Sequence, residues 1–150
     1  MSEINRRQFV ALSIAGVCAA CTVDAAGELL QAASKPKVDV GELSSIATDG
    51  VLDTWKQEHK FLLVRHEGKI YAISARCTHK AGILNLESGG IVCPKHGSRF
   101  DNNGVPVEGP AKAPLFRYGV SVNADGHLIV DLGKQFTQKD WTKPAAFVAV

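Results

Sequence analysis

Two short stretches, each pairing a cysteine with a histidine, constrain this chain more than any other feature. The first reads Cys77-Thr78-His79. After thirteen intervening residues comes the second, Cys93-Pro94-Lys95-His96-Gly97-Ser98-Arg99-Phe100-Asp101. Thiolates are soft, charged donors, and neutral imidazoles donate without adding charge. Cys77 and His79 lie two apart, so both can leave one side of an extended or tight-loop segment. Cys93 and His96 repeat that arrangement from a second loop, so two loops can clasp one inorganic centre. A four-ligand zinc site would accept these donors. Zinc knuckles and fingers, however, more often group their ligands as C-x2-4-C and H-x3-5-H.

The two boxes resemble those of the Rieske iron–sulfur family, C-x-H, a spacer, then C-x-x-H. In that family the two cysteines hold one iron of a [2Fe–2S] cluster and the two histidines hold the other. The resemblance implies one cluster per chain, with Cys77 and Cys93 on one iron and His79 and His96 on the other. Two imidazoles in place of two thiolates remove two negative charges, which raises the reduction potential. The run C-P-x-H-G-S-x-F-D is a well-marked second box. The spacer is shorter than the family usually shows, which shortens the link and leaves the ligands untouched. Gly109-Pro110-Ala111-Lys112-Ala113-Pro114-Leu115 resembles the family's proline-rich loop over the cluster, where prolines stiffen the chain at low entropic cost. Higher-potential members place a serine where Ser98 stands, donating to a bridging sulfide. They place a tyrosine where Phe100 stands, so one donor is kept and one is lost. Ser98, Phe100 and Pro110 are therefore expected around the cluster. Many respiratory members also carry a disulfide between the boxes. The corresponding positions here are Gly82 and Lys95, as in Rieske ferredoxins, which lack the brace.

The remaining chain bounds this reading. Its 150 residues allow one domain plus an appendage. A hydrophobic content of 45% is ample for a small core. The net charge is +2, and no basic run suggests nucleic acid. Four cysteines are few for a disulfide scaffold, and Cys18 and Cys21 lie in the N-terminal leader. That leader, residues 1–35, combines a charged start with an apolar run from Phe9 to Val23, the pattern of an export signal. Arg6-Arg7-x-Phe9 resembles a twin-arginine signal, although Asn5 replaces the usual Ser or Thr. That route carries folded proteins, so a cluster built in the cytosol can leave intact. The apolar run has fifteen residues, against roughly 20 for a spanning helix. The leader is thus a cleaved signal, with small residues near Ala20 and Ala25, a lipidated one, with Cys21 after Ala19-Ala20, or an N-terminal anchor helix. The expected location is periplasmic or at the outer face of the cytoplasmic membrane, with membrane association through the N-terminus.

From residue 36 to 133 the pattern is one of short strands and turns. Lys60–Arg65 and Ile70–Ile73 flank a turn at 66–69 and lead into Cys77. Gly89-Gly90 turns the chain into Ile91-Val92, which delivers Cys93. Arg99–Asp101 begins a return strand, with Asn102-Asn103-Gly104 as its turn. Tyr118–Val122 and His127–Val130 flank Asn123-Ala124-Asp125-Gly126 as a further hairpin. Residues 51–60 suit a helical turn or a loop. No later segment shows a long helical face, so the class is all-β. The resemblance implies a stack of small antiparallel sheets with an inserted cluster-binding subdomain at about 75–115. Residues 134–150, with Trp141, form a tail without assignment. His59, His66 and His127 read as exposed polar residues and supply no 2-His-1-carboxylate set.

The expected function is one-electron transfer by an exported subunit or partner of a respiratory or periplasmic oxidoreductase. The implied partners are a cytochrome b or c, or a molybdenum-enzyme large subunit, with quinol a candidate donor. The alternative is a Rieske ferredoxin that feeds an oxygenase.

Overall fold

The computed structural model describes residues 35–150, so the leader, with Arg6, Arg7, Cys18 and Cys21 and the export and anchor expectations, lies outside the described residues. In chain order the strands are β1 (Lys37–Glu42), β2 (Gly50–Leu52), β3 (Phe61–His66), β4 (Lys69–Ser74), β5 (Asn85–Glu87), β6 (Gly90–Val92), β7 (Arg99–Phe100), β8 (Pro106–Glu108), β9 (Arg117–Val122), β10 (His127–Phe136) and β11 (Val148–Ala149). The only helical pieces among the described residues are three single 3-10 turns. The all-β expectation holds. Residues 51–60, expected as a helical turn or loop, begin in β2 and continue as turns.

A seven-stranded sheet runs β1-β10-β9-β4-β3-β2, with β11 paired to β4, and a four-stranded sheet runs β5-β6-β7-β8. Every pairing is antiparallel.

Phe61-Leu62-Leu63-Val64 shows no polar alternation, yet a strand must send alternate residues to opposite faces. The hairpin of β3 and β4 resolves this by carrying a core on each side. Phe61 and Leu63, with Ile70 and Ala72 across the pair, enter one core beside Tyr118, Val120, Leu128 and Val130. Leu62 and Val64, with Tyr71 and Ile73, enter the other beside Leu84, Ile91, Phe100 and Leu115. Cys77 and Cys93 belong to this second core. Burying Leu62, Val64 and Ile73 on one such face contributes on the order of 1.5–3 kcal/mol each before entropy is counted.

The four-stranded sheet and its loops are inserted between β4 and β9. Those two strands pair directly, Ala72 with Tyr118 and Ile73 with Arg117. The Ser74 N–H donates to the Phe116 carbonyl at 3.0 Å, closing the neck of the insertion.

Beyond residue 133 the chain stays on the domain. Strand β10 runs on to Phe136, and Val148–Ala149 pairs with Lys69–Ile70. Between them Trp141 lies over Arg117. The Arg117 Cζ is 4.3 Å from the Trp141 ring centre and 3.7 Å from that of Tyr71. Desolvation lowers the Arg117 pKa from its ordinary value, and burial pushes the Tyr71 hydroxyl up to about 12.

Candidate metal centre

Strands β4 and β6 each deliver a cysteine into a tight loop, and the two loops share one hydrogen-bond plan. The Cys77 N–H donates to the Gly82 carbonyl at 2.8 Å, and the Ala81 N–H donates to the Cys77 carbonyl at 2.9 Å. In the second loop the Cys93 N–H donates to the Ser98 carbonyl at 2.7 Å, and the Gly97 N–H donates to the Cys93 carbonyl at 2.9 Å. The fifth residue of each loop is left-handed, with φ 51° at Ala81 and 76° at Gly97. The base of the first loop is closed by a bridge between Arg76 and Ile83, and that of the second by the pairing of Val92 with Arg99. Only the histidine is offset, third in one loop and fourth in the other.

The donors separate by depth. Cys77 is 4% exposed and Cys93 1%, and neither is in a disulfide. His79 and His96 are exposed, with ring centres 4.8 Å apart and planes at 80°. Desolvation, then the positive charge of His79, Lys80 and Lys95, lowers the His96 pKa from its ordinary value. Among the described residues, no three His, Cys, Asp or Glu side chains close on one point. Sulfur donors at one end and nitrogen donors at the other suit a centre of two irons better than a single tetrahedral ion. The buried thiols fit as well, because a buried thiolate needs a metal to balance its charge.

The third loop, 109–115, is fastened to both cysteine loops. The Ala111 N–H donates to Ser98 Oγ at 3.1 Å, and Thr78 Oγ1 donates to the Ala113 carbonyl at 2.6 Å. A Cβ on Gly109, whose φ is 91°, would stand 2.7 Å from the Ser98 Cα. Glycine is thus required by both the close approach and the turn. Ser98 is fully buried and Phe100 is 1% exposed, facing Ile91 across β6 and β7, while Pro110 is exposed on the loop. Since Ser98 Oγ accepts from Ala111, its own proton is free to point elsewhere.

A Cβ on Gly82 would lie 3.2 Å from the Lys95 Cβ and 3.0 Å from the Cys93 Sγ. Disulfide Cβ atoms are about 3.5–4.5 Å apart. The two positions therefore face each other, with the lysine stem lying where a brace would stand.

Sequence reasoning missed Thr78 and Gly109 as fasteners. Thr78 lies inside the first box, but nothing in the sequence names its partner 35 residues away. The remaining histidines correct an expectation. His59, His66 and His127 are half-buried rather than exposed. His59 stacks near Phe61 with ring centres 6.2 Å apart, and His127 Nδ1 lies 3.0 Å from Asp39. A groove of about 720 Å³ bordered by His66, Glu87, Asp101 and Asn103 includes none of the four donors.

A family model described as the Rieske [2Fe-2S] domain matches residues 37–119, more than half of the chain. The cytochrome b6-f complex iron-sulfur subunit of Chlorobaculum tepidum is 26% identical over 140 residues, covering 87% of this chain and 77% of its own length. The subunit of the same name from Prochlorococcus marinus subsp. pastoris is 36% identical over 90 residues, covering 57% of this chain and 48% of its own. The chain thus spans about half the length of that second relative. Among solved structures, the plasma membrane Rieske protein PetC3 of Synechocystis PCC 6803 superposes with a TM-score of 0.50 at 28% identity, over 63% of this chain and 98% of that one.

Proposed function

The chain belongs to the Rieske [2Fe–2S] family, and we propose that Cys77 and Cys93 bind one iron of its cluster and His79 and His96 the other. The protein carries a [2Fe–2S] cluster and works in electron transfer. The observation that supports this ligand set is the separation by depth. Both thiols lie in an apolar core while both imidazoles reach the surface on loops of one design.

When bound, the cluster supplies a one-electron couple. The protein's own groups do the rest. Leu84, Ile91 and Leu115 keep water from the cysteines. His79 and His96 form the exposed edge at which a partner can approach. Loop 109–115, fastened to Thr78 and Ser98, holds both cysteine loops in register. Purified protein should contain iron and sulfide in equal amounts and, once reduced, give the rhombic EPR signal of a mixed-ligand cluster. Stoichiometric zinc without iron or sulfide would overturn the reading.

The finer proposal is an exported subunit or partner of a respiratory or periplasmic oxidoreductase. It is supported by Arg6-Arg7-x-Phe9 before an apolar run and by the H-G-S-x-F-D box. Relatives named as cytochrome b6-f subunits add to it. The absence of cysteine at 82 and 95 favours the second reading, a ferredoxin serving an oxygenase. Locating the parent protein beside a variant with lysine at 6 and 7 separates them, because only the first reading has the parent exported. Under the first reading the variant stays in the cytoplasm with its cluster, and normal export would reject the twin-arginine route.

A further inference from the structure

Each of the three loops at the tip carries one lysine, Lys80, Lys95 and Lys112. Residues 77–82, 93–98 and 109–115 contain no acidic residue. With neutral histidines the tip therefore holds +3, more than the +2 of the whole chain. All three lysines are exposed, and none is in an ion pair among the described residues. Three cations outside the tip loops are matched: Lys56 with Asp53, Lys143 with Asp140, and Arg99 with Glu108, the acid nearest the third loop in sequence.

The fold fixes these lysines around the exposed histidines. Lys80 adjoins His79 and Lys95 adjoins His96. Lys112 sits between Ala111 and Ala113, whose backbone groups bond one to each cysteine loop. The Lys95 stem lies against Gly82 of the opposite loop. Like charges carried on neighbouring loops repel one another over a Debye length of about 8–10 Å unless an opposite charge arrives.

We propose that Lys80, Lys95 and Lys112 form a docking collar for a redox protein whose own electron port is ringed by acidic residues. The proposal rests on the electron-carrier reading above. Such a partner would be drawn to the tip, bringing its centre to the histidine edge. Electrostatic steering of this kind raises association rates by about 10–10³-fold and weakens as salt is added.

The test uses the full chain, reduced with dithionite, and two oxidants of opposite charge, acidic plastocyanin and basic cytochrome c. One electron passes from the reduced protein to copper(II) or haem iron(III), giving copper(I) or iron(II), and no bond forms or breaks. The reaction with plastocyanin should slow at least about tenfold between low and physiological salt, while that with cytochrome c should not slow. Substituting all three tip lysines with glutamine should abolish the plastocyanin slope. The same substitution at Lys35, Lys37 and Lys139, exposed and outside the three loops, should keep it. A second readout needs no electron. At pH 7 the tip variant should leave a cation exchanger at lower salt than the control, although both lose the same net charge.

A flat plastocyanin slope in the parent protein, or equal loss in both variants, would overturn the proposal. So would binding to phosphatidylglycerol vesicles without a salt-dependent plastocyanin reaction, which would point to a membrane surface. Iron, sulfide and EPR on the same preparations separate the failures. A colourless protein sinks the carrier reading, and a loaded protein with a flat slope sinks the collar alone.

Discussion

Ala81 takes φ 51°, where the Cβ of an L-residue crowds the next carbonyl at a cost of about 1–2 kcal/mol. The matching place in the second loop is Gly97, which bears no such cost. Ala81→Gly should therefore raise stability, offset in part by glycine's freedom in the unfolded chain, for a net gain of about 0.5–1 kcal/mol. Thermal melting of the loaded protein reads this, and a lower midpoint would show that the alanine methyl makes contacts worth more than the strain. Ser98 tests the support of the centre from the other side. Ser98→Ala leaves the buried Ala111 N–H without its acceptor, a loss of about 1–3 kcal/mol. If the serine proton also serves the cluster, the reduction potential falls by at most about 60–130 mV, taking 1.5–3 kcal/mol for a charged hydrogen bond and 59 mV per 1.4 kcal/mol. Protein-film voltammetry decides, and a lower melting point with an unchanged potential would leave Ser98 a fastener only. That the two boxes meet was legible in the sequence, because each is short and local. The strain at Ala81 was not, since the shared plan of the two loops rests on backbone bonds that residue names do not reveal.

At the scale of elements, β1 is held to β10 through a charged pair as well as the ladder. The hydrogen bond between His127 and Asp39 raises the His127 pKa above 6.5, and the same bond, with that from the Gly41 N–H, lowers the Asp39 pKa below 3.8. The signs follow from linkage. Protonated His127 adds stability that is complete below 6.5 and is lost as pH rises through its raised folded value. Ionised Asp39 adds stability that is present above 3.8 and is lost as pH falls through its lowered folded value. The strand is thus held best between those limits. An NMR titration of the His127 ring should show a midpoint above that of a free histidine, moving back in Asp39→Asn. An identical midpoint in both proteins would mean that the pair does not form in solution. Hairpin turns were legible here, because Asn123-Ala124-Asp125-Gly126 carries its own turn chemistry. The bond from His127 was hidden because Asp39 is 88 positions away. The split of Phe61–Val64 between two cores was equally hidden, since an unbroken apolar run gives no sign of which residue faces which way.

For the molecule as a whole, the tail serves as a clamp. Arg117 is 5% exposed, its Nε has no hydrogen-bond partner among the described residues, and its charge is met by the faces of Tyr71 and Trp141. Cation–π contacts contribute about 0.5–2 kcal/mol, more when desolvated. Trp141→Ala should cost about 2–3 kcal/mol, from the lost contact plus the aromatic area it buries. Urea unfolding of the loaded protein measures it, and a change below about 0.5 kcal/mol, the range of neutral surface substitutions, would show the clamp to be idle. No local pattern in residues 134–150 announced this, because the partner ring and the guanidinium lie on β4 and β9. The neck between Ser74 and Phe116 has a different consequence, one of evolutionary latitude. Because β4 and β9 already meet there, the length of chain looped out between them is free to drift. Doubling a loop adds only about 0.6 kcal/mol of closure entropy. The short link from His79 to Cys93 is one setting of that length. Lineages can trim or extend the excursion while the seven strands beneath keep their register.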